Sequence, residues 1–144
     1  MPRSQATPEV GESLGYLLKH AQQRYQTIQR PALAAFGLDG RLLAVLVVVG
    51  REGPALQQRL AERLGVDRTT MVALIDALEL SQLVKRRRDP ADRRGQLVLL
   101  TAKGTKLLPR ALEAVAGVED DFLAGLSSPE QREFRRLLAK AVTG

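Results

Sequence analysis

The 144-residue sequence predicts a mainly α-helical chain with one small β-hairpin. Three observations point there. Apolar residues recur at helical spacing near both ends and in the middle of the chain. The apolar content is mostly Leu, Val and Ala, and aromatics make up only 3% of the residues, a balance that favours packed helices over a sandwich of strands. A single polar turn, Asp89 to Gly95, separates two short β-prone runs.

Taken in order, the first helix runs from about Ser13 to Gln29. Leu14, Leu17, Leu18, Ala21, Tyr25 and Ile28 lie on one face of it. Pro31 does not end the pattern decisively; Gly37 does. Asp39 is placed to cap a second helix from Gly40. Its run Leu42 to Val49 fits a buried strand as well as a buried helix; we read it as a central helix that ends between Gly50 and Gly53, before Pro54. Two short helices follow, Gln57 to Leu64 and Arg68 to Ser81, then strands Leu83 to Arg88 and Gln96 to Thr101. Leu108, Ala111, Leu112, Val115, Val118 and Phe122 line one face of a long helix, in which Pro109 predicts a kink or a delayed start. The last helix starts at Ser127-Ser-Pro-Glu-Gln131, with Ser128 as N-cap, Pro129 at N1 and Gln131 at N3. It carries Phe134, Leu137, Leu138 and Ala141.

Charge is concentrated in one place. Lys85 to Arg94 holds six basic and two acidic residues, four of the chain's net +6. A solvated surface run is the ordinary reading of such a stretch, but its neighbours change the odds. In Leu60 to Ile75, Ala61 is small where two helices approach, Gly65 suits a left-handed turn, Val66 and Met71 fill the corner and Asp67 caps the next helix. That is a helix-turn-helix. Followed directly by a basic two-stranded hairpin, it becomes a winged helix-turn-helix with a small β wing, a scaffold suited to double-stranded DNA.

The candidate DNA contacts follow from this geometry. Arg68, Thr69, Thr70, Val72 and Ala73 lead the recognition helix into the major groove. Arg86, Asp92, Arg93 and Arg94 belong to the wing, where an Arg at the tip can enter a narrow minor groove. Asp92 either orients the Arg94 guanidinium or only nucleates the turn. Thr69 and Thr70 equally suit plain helix capping.

The segment Leu83-Val-Lys-Arg-Arg-Arg-Asp-Pro-Ala-Asp-Arg-Arg-Gly-Gln-Leu-Val-Leu-Leu-Thr-Ala-Lys-Gly104 resembles the wing of the MarR family of transcription regulators and its Leu-Thr-x-x-Gly entry into the next helix. The helix-turn-helix and the flanking helices resemble that family too, so the likeness spans nearly the whole chain. It implies dimerisation helices at 1–36 and 103–144 around a winged helix-turn-helix domain at 37–102. It also implies a homodimer on a palindromic operator, a repressor, and release by a small phenolic or anionic effector. Carried over, the recognition helix is Arg68 to Leu80, and Arg94 is the wing's DNA contact with Asp92 as its partner. Val72, Ala73 and Ala77 depart from the family's usual polar or basic residues, Leu56 from its usual Ser or Thr cap, and Gln82 from a frequent Gly.

The apolar faces of the terminal helices fit pairing of two copies, with recognition helices roughly 34 Å apart, or an intramolecular bundle. Tyr16, His20 and Arg24 form a row beside the first helix's apolar seam. It suits an aromatic anion, although a solvated flank is the commoner role of such residues. Without cysteine there is no disulfide or thiolate chemistry, and the lone His20 cannot build a multi-histidine metal site. No catalytic or metal-binding residue and no cofactor is expected: the phosphate-loop, dinucleotide and zinc-protease motifs are missing, and Glu119 to Asp121 are adjacent on a helix and do not converge. With no apolar leader or membrane-length run, the chain reads as soluble and cytoplasmic, with no membrane partner. The competing reading is a winged helix used only for protein–protein contacts, which the basic wing argues against.

Overall fold

A computed structural model describes residues 9–144; the first eight residues of the expected 1–36 segment lie outside the described residues. A short 3-10 turn, Val10–Glu12, leads into α1 (Leu14–Ala34), α2 (Gly40–Glu52), β1 (Ala55–Leu56), α3 (Gln57–Leu64), α4 (Arg68–Leu80), β2 (Val84–Arg88), β3 (Gln96–Leu100), α5 (Ala102–Leu123) and α6 (Ser128–Thr143). The mainly α fold with a β wing is as expected.

The centre is α2. Asp39 caps it, its carboxylate accepting the Leu42 N–H at 2.9 Å. Leu43, Val45, Leu46, Val48 and Val49 are buried because α1, α3, α4, α5 and β3 surround the helix. Packing on nearly every side overrides the β-branched preference for a strand. Leu33 from α1, Leu60 from α3, Met71, Ile75 and Leu78 from α4, and Val84 and Val98 from the sheet complete the core.

The sheet is antiparallel in the order β1-β3-β2, with Arg86 opposite Val98 and Arg88 opposite Gln96. The sequence reading omits β1. Its two residues, Ala55 and Leu56, gain their strand character only by pairing with Val98 and Leu97, far along the chain. Two further expectations are corrected. Thr101 caps α5, which starts at Ala102 and continues past Pro109, so of the two effects expected of that proline the delayed start is excluded. The last cap is Ser127, not Ser128: its hydroxyl accepts the Glu130 N–H at 3.3 Å while the Glu130 carboxylate accepts the Ser127 N–H at 2.9 Å. Glu130 rather than Gln131 therefore fills the box, and Gln131 Nε2 instead donates to the carbonyls of Leu123 and Leu126.

Wing, recognition helix and α5 meet at one joint. Thr101 donates its hydroxyl to the Gln82 carbonyl at 2.6 Å, and Lys103 Nζ donates to the Ser81 carbonyl at 2.9 Å. Gly104 packs so closely there that a Cβ would overlap the Leu83 carbonyl oxygen, which explains glycine at this helical position.

Candidate nucleic-acid interface

The turn between α3 and α4 forms as the local sequence dictates. Gly65 takes the left-handed conformation, φ 63°, and the Val66 N–H closes the end of α3 on the Ala61 carbonyl at 3.1 Å. Asp67 caps α4, accepting the Thr70 N–H at 2.7 Å. That hydrogen bond, together with one from the Thr70 hydroxyl, holds the Asp67 carboxyl below the ordinary aspartate range. Met71, Leu74, Ile75 and Leu78 anchor the inner side of α4. Arg68, Thr69, Val72 and Ala73 are exposed on the outer side, and Thr70 is half-buried.

The wing turn is built from its aspartates. The Asp89 carboxylate accepts the Ala91 N–H at 2.9 Å, and the Asp92 carboxylate accepts the backbone N–H of Arg94 at 3.0 Å. Among the described residues no ion pair joins Asp92 to the Arg94 guanidinium, so of the two roles weighed for Asp92 the turn bond is the one present. Arg93 and Arg94 are exposed at the tip, with Lys85, Arg87 and Arg88 exposed along β2. Wing tip and recognition helix share one surface: Arg68 and Arg94 line the same cleft of about 420 Å³, together with Gln57, Gln58, Asp92 and Gln96. Two cationic side chains from different elements thus face one concave space, which suits a polyanion.

Arg86 differs from its neighbours. Strand alternation turns it inward with buried Val84. Its guanidinium reaches Asp76 at 2.7 Å and Glu79 at 3.3 Å, and donates to Gln57 Oε1 at 3.1 Å and to the Val72 carbonyl at 3.3 Å. The side chain is 19% exposed. It is the strut between wing and recognition helix, and its donors are already engaged within the protein. The sequence reading places Arg86 among the wing contacts; the alternation from Val84 is the signal that separates it from the exposed cations of the same run.

The row on α1 divides. The rings of Tyr16 and His20 lie 4.0 Å apart, both exposed. Arg24 is drawn instead to α5, donating to the Phe122 carbonyl at 2.8 Å with its guanidinium 5.2 Å from the centre of the Phe122 ring. Beside this row runs an apolar groove of about 780 Å³ between α1, α5 and α6, lined by Leu14, Leu17, Leu18, Phe122, Phe134 and Leu137, among others. Sequence reasoning found these apolar faces but not the groove they form.

Comparison with known proteins agrees with this architecture. The MarR family model matches residues 41–95, from the start of α2 to the wing turn. The crystal structure of a probable transcriptional regulator from Pseudomonas aeruginosa is 32% identical, with a TM-score of 0.86 over 92% of this chain and 99% of that one. A structure of BpsR from Bordetella bronchiseptica, described as regulated in its DNA binding by 6-hydroxynicotinic acid, is 25% identical, with a TM-score of 0.87 over 96% of this chain and 99% of that one. The HTH-type transcriptional repressor NicR of Pseudomonas putida is 28% identical over 93% of this chain and 85% of its own length. Fold, interface and relatives converge, and this chain belongs to the MarR family of DNA-binding transcription regulators.

Proposed function

We propose that the protein is a repressor that binds a palindromic operator as a homodimer and is released by a small hydroxylated or anionic aromatic compound. The observation that carries the DNA-binding surface is the shared cleft, lined by Arg68 of the recognition helix and by Arg94 of the wing. In this reading Arg68, Thr69, Thr70, Val72 and Ala73 enter the major groove, and Arg93 and Arg94 reach the adjacent minor groove or its phosphates. Arg86 holds the two elements in register and Asp92 shapes the tip.

The segments 1–36 and 103–144 form the dimer in this reading, and 37–102 the DNA-binding domain. The support is the uncovered apolar groove: Leu14 is 71% exposed and Leu17 and Leu18 each 50%, a contiguous exposed apolar patch of the kind that marks an interaction surface. Pairing through it would set the two recognition helices to read symmetric half-sites. The name of NicR supports repression, and the 6-hydroxynicotinic acid of BpsR supports an aromatic acid as effector. The exposed Tyr16–His20 pair is the candidate contact for its ring and hydroxyl. Arg24 would need to leave the Phe122 carbonyl to meet its carboxylate.

The experiment is footprinting on the DNA upstream of the protein's own gene, followed by titration of that duplex at several salt concentrations. A symmetric protected site is expected. Arg94→Ala is expected to weaken binding by about 1–3 kcal/mol and to flatten the salt dependence. Unchanged affinity at moderate salt would remove Arg94 from the interface, and no protection at all would leave a protein–protein module instead.

A further inference from the structure

The exposed residues of α4 beyond Arg68 are Thr69, Val72, Ala73, Asp76, Ala77, Glu79 and Leu80. All but Glu79 recur at spacings of three and four, so they form one ridge along the helix. The ridge contains no Arg, Lys, Asn or Gln. It therefore lacks the side chains that pair in bidentate fashion with guanine or adenine in the major groove. Its carboxylate, Asp76, is held by the Arg86 guanidinium at 2.7 Å, and the same guanidinium reaches Glu79 at 3.3 Å. One guanidinium against two carboxylates thus offsets, from within the protein, part of the acidic character that would repel a phosphate-lined groove.

What the ridge offers outward is hydrocarbon: the methyl groups of Thr69, Val72, Ala73 and Ala77, with Val72 36% exposed and Leu80 88% exposed. In the major groove the feature that apolar side chains recognise is the C5 methyl of thymine. The cationic wing beside the ridge supplies the attraction that brings such a surface to DNA. We infer that α4 reads its site as a pattern of thymine methyl groups, with Val72 as the central specificity-determining residue. This rests on the proposal that α4 enters the major groove.

The test uses the full chain and, as probe, the tightest-binding duplex recovered from a pool of randomised duplexes. Each thymine is replaced in turn by deoxyuracil, which removes only the methyl group. Replacement at the positions under α4 is expected to lower affinity about fourfold per methyl, the factor that burying one methylene-sized group confers. 5-Methylcytosine paired with guanine at those positions is expected to be tolerated, because the methyl group stays in place. Val72→Ala keeps a good helix former at an exposed position and is expected to make the duplex indifferent to deoxyuracil at one of them. Tight, selective binding that ignores deoxyuracil everywhere would overturn the methyl reading and leave the operator reading standing. A pool from which no duplex is enriched would overturn both.

Discussion

Along α4 there is one cation, Arg68, against two anions, Asp76 and Glu79; along the stretch from Lys85 to Arg94 there are six cations against two anions. The two elements border the same cleft, yet one is nearly free of groups that attract phosphate and the other is dense with them. The difference separates two tasks that most simply combine on one helix. A cationic hairpin attracts any duplex, because phosphate contacts release counterions whatever the sequence. A charge-poor helix contributes little to that general attraction and acts through fit against the base edges. If α4 enters the major groove as proposed, selectivity and affinity reside in different elements, and what joins them matters as much as either.

The principal join is Arg86. Arg86→Gln removes the guanidinium that links Asp76, Glu79, Gln57 and the Val72 carbonyl. Operator affinity is expected to fall by about 2 kcal/mol; Asp76 and Glu79 are partly exposed, which keeps the loss at the low end for a broken charge pair. Arg86→Lys should not restore it, since one ammonium cannot span four acceptors. Asp76→Asn sharpens the comparison. It removes a negative charge from α4, the helix proposed to face DNA, so simple electrostatics predicts tighter binding, whereas a broken strut predicts weaker binding. We expect weaker binding in a fluorescence-anisotropy titration. Tighter binding would mean that helix and wing act independently and that a freed Arg86 reaches phosphate itself.

These elements were unequally legible in the sequence. The helix-turn-helix could be read because each of its signals is local: Gly65 must turn, Asp67 must cap, Ala61 and Met71 must pack. The wing could be read from turn residues between two β-prone runs. β1 could not, since its only partners are Val98 and Leu97 on β3. The start of α6 is ambiguous by one residue in the sequence because Ser127 and Ser128 are both capable caps and Glu130 and Gln131 both capable closers; geometry, not composition, decides between them. Arg86 sat within a uniform basic run whose charges are equivalent on paper and differ only in which side of β2 they occupy.

The N-terminus of α4, nearest the cleft, provides a smaller test of the helix side. The Thr70 N–H, and secondarily the Thr70 hydroxyl, lower the Asp67 pKa from its ordinary 3.8. A carboxyl depressed in the folded state stabilises above its unfolded pKa, and that contribution fades as pH falls through the folded pKa. In Asp67→Asn the amide oxygen still caps but does not titrate. Urea unfolding from neutral to acid pH should therefore show the native chain losing stability, relative to Asp67→Asn, as pH falls through and below the ordinary aspartate range. A constant difference across that range would mean that Asp67 does not gain this bond on folding.

The smallest effect is expected at the second join, where α4 passes into β2. Gln82 has φ 62°, the only positive φ outside glycine among the described residues. It ends α4 in the manner of a Schellman turn: its N–H bonds to the Glu79 carbonyl at 2.9 Å, and the Leu83 N–H bonds to the Leu78 carbonyl at 2.9 Å. A side chain in this conformation costs about 1 kcal/mol that glycine does not incur. Glycine in turn loses more freedom on folding, which offsets part of the gain. Gln82→Gly is therefore expected to raise unfolding stability by about 0.5 kcal/mol, seen as a higher urea midpoint with an unchanged slope. Operator affinity should stay the same, because the turn keeps its geometry and the Gln82 carbonyl still accepts the Thr101 hydroxyl. If stability rises while affinity falls, the strain at Gln82 is itself setting the angle between the helix that discriminates and the wing that attracts.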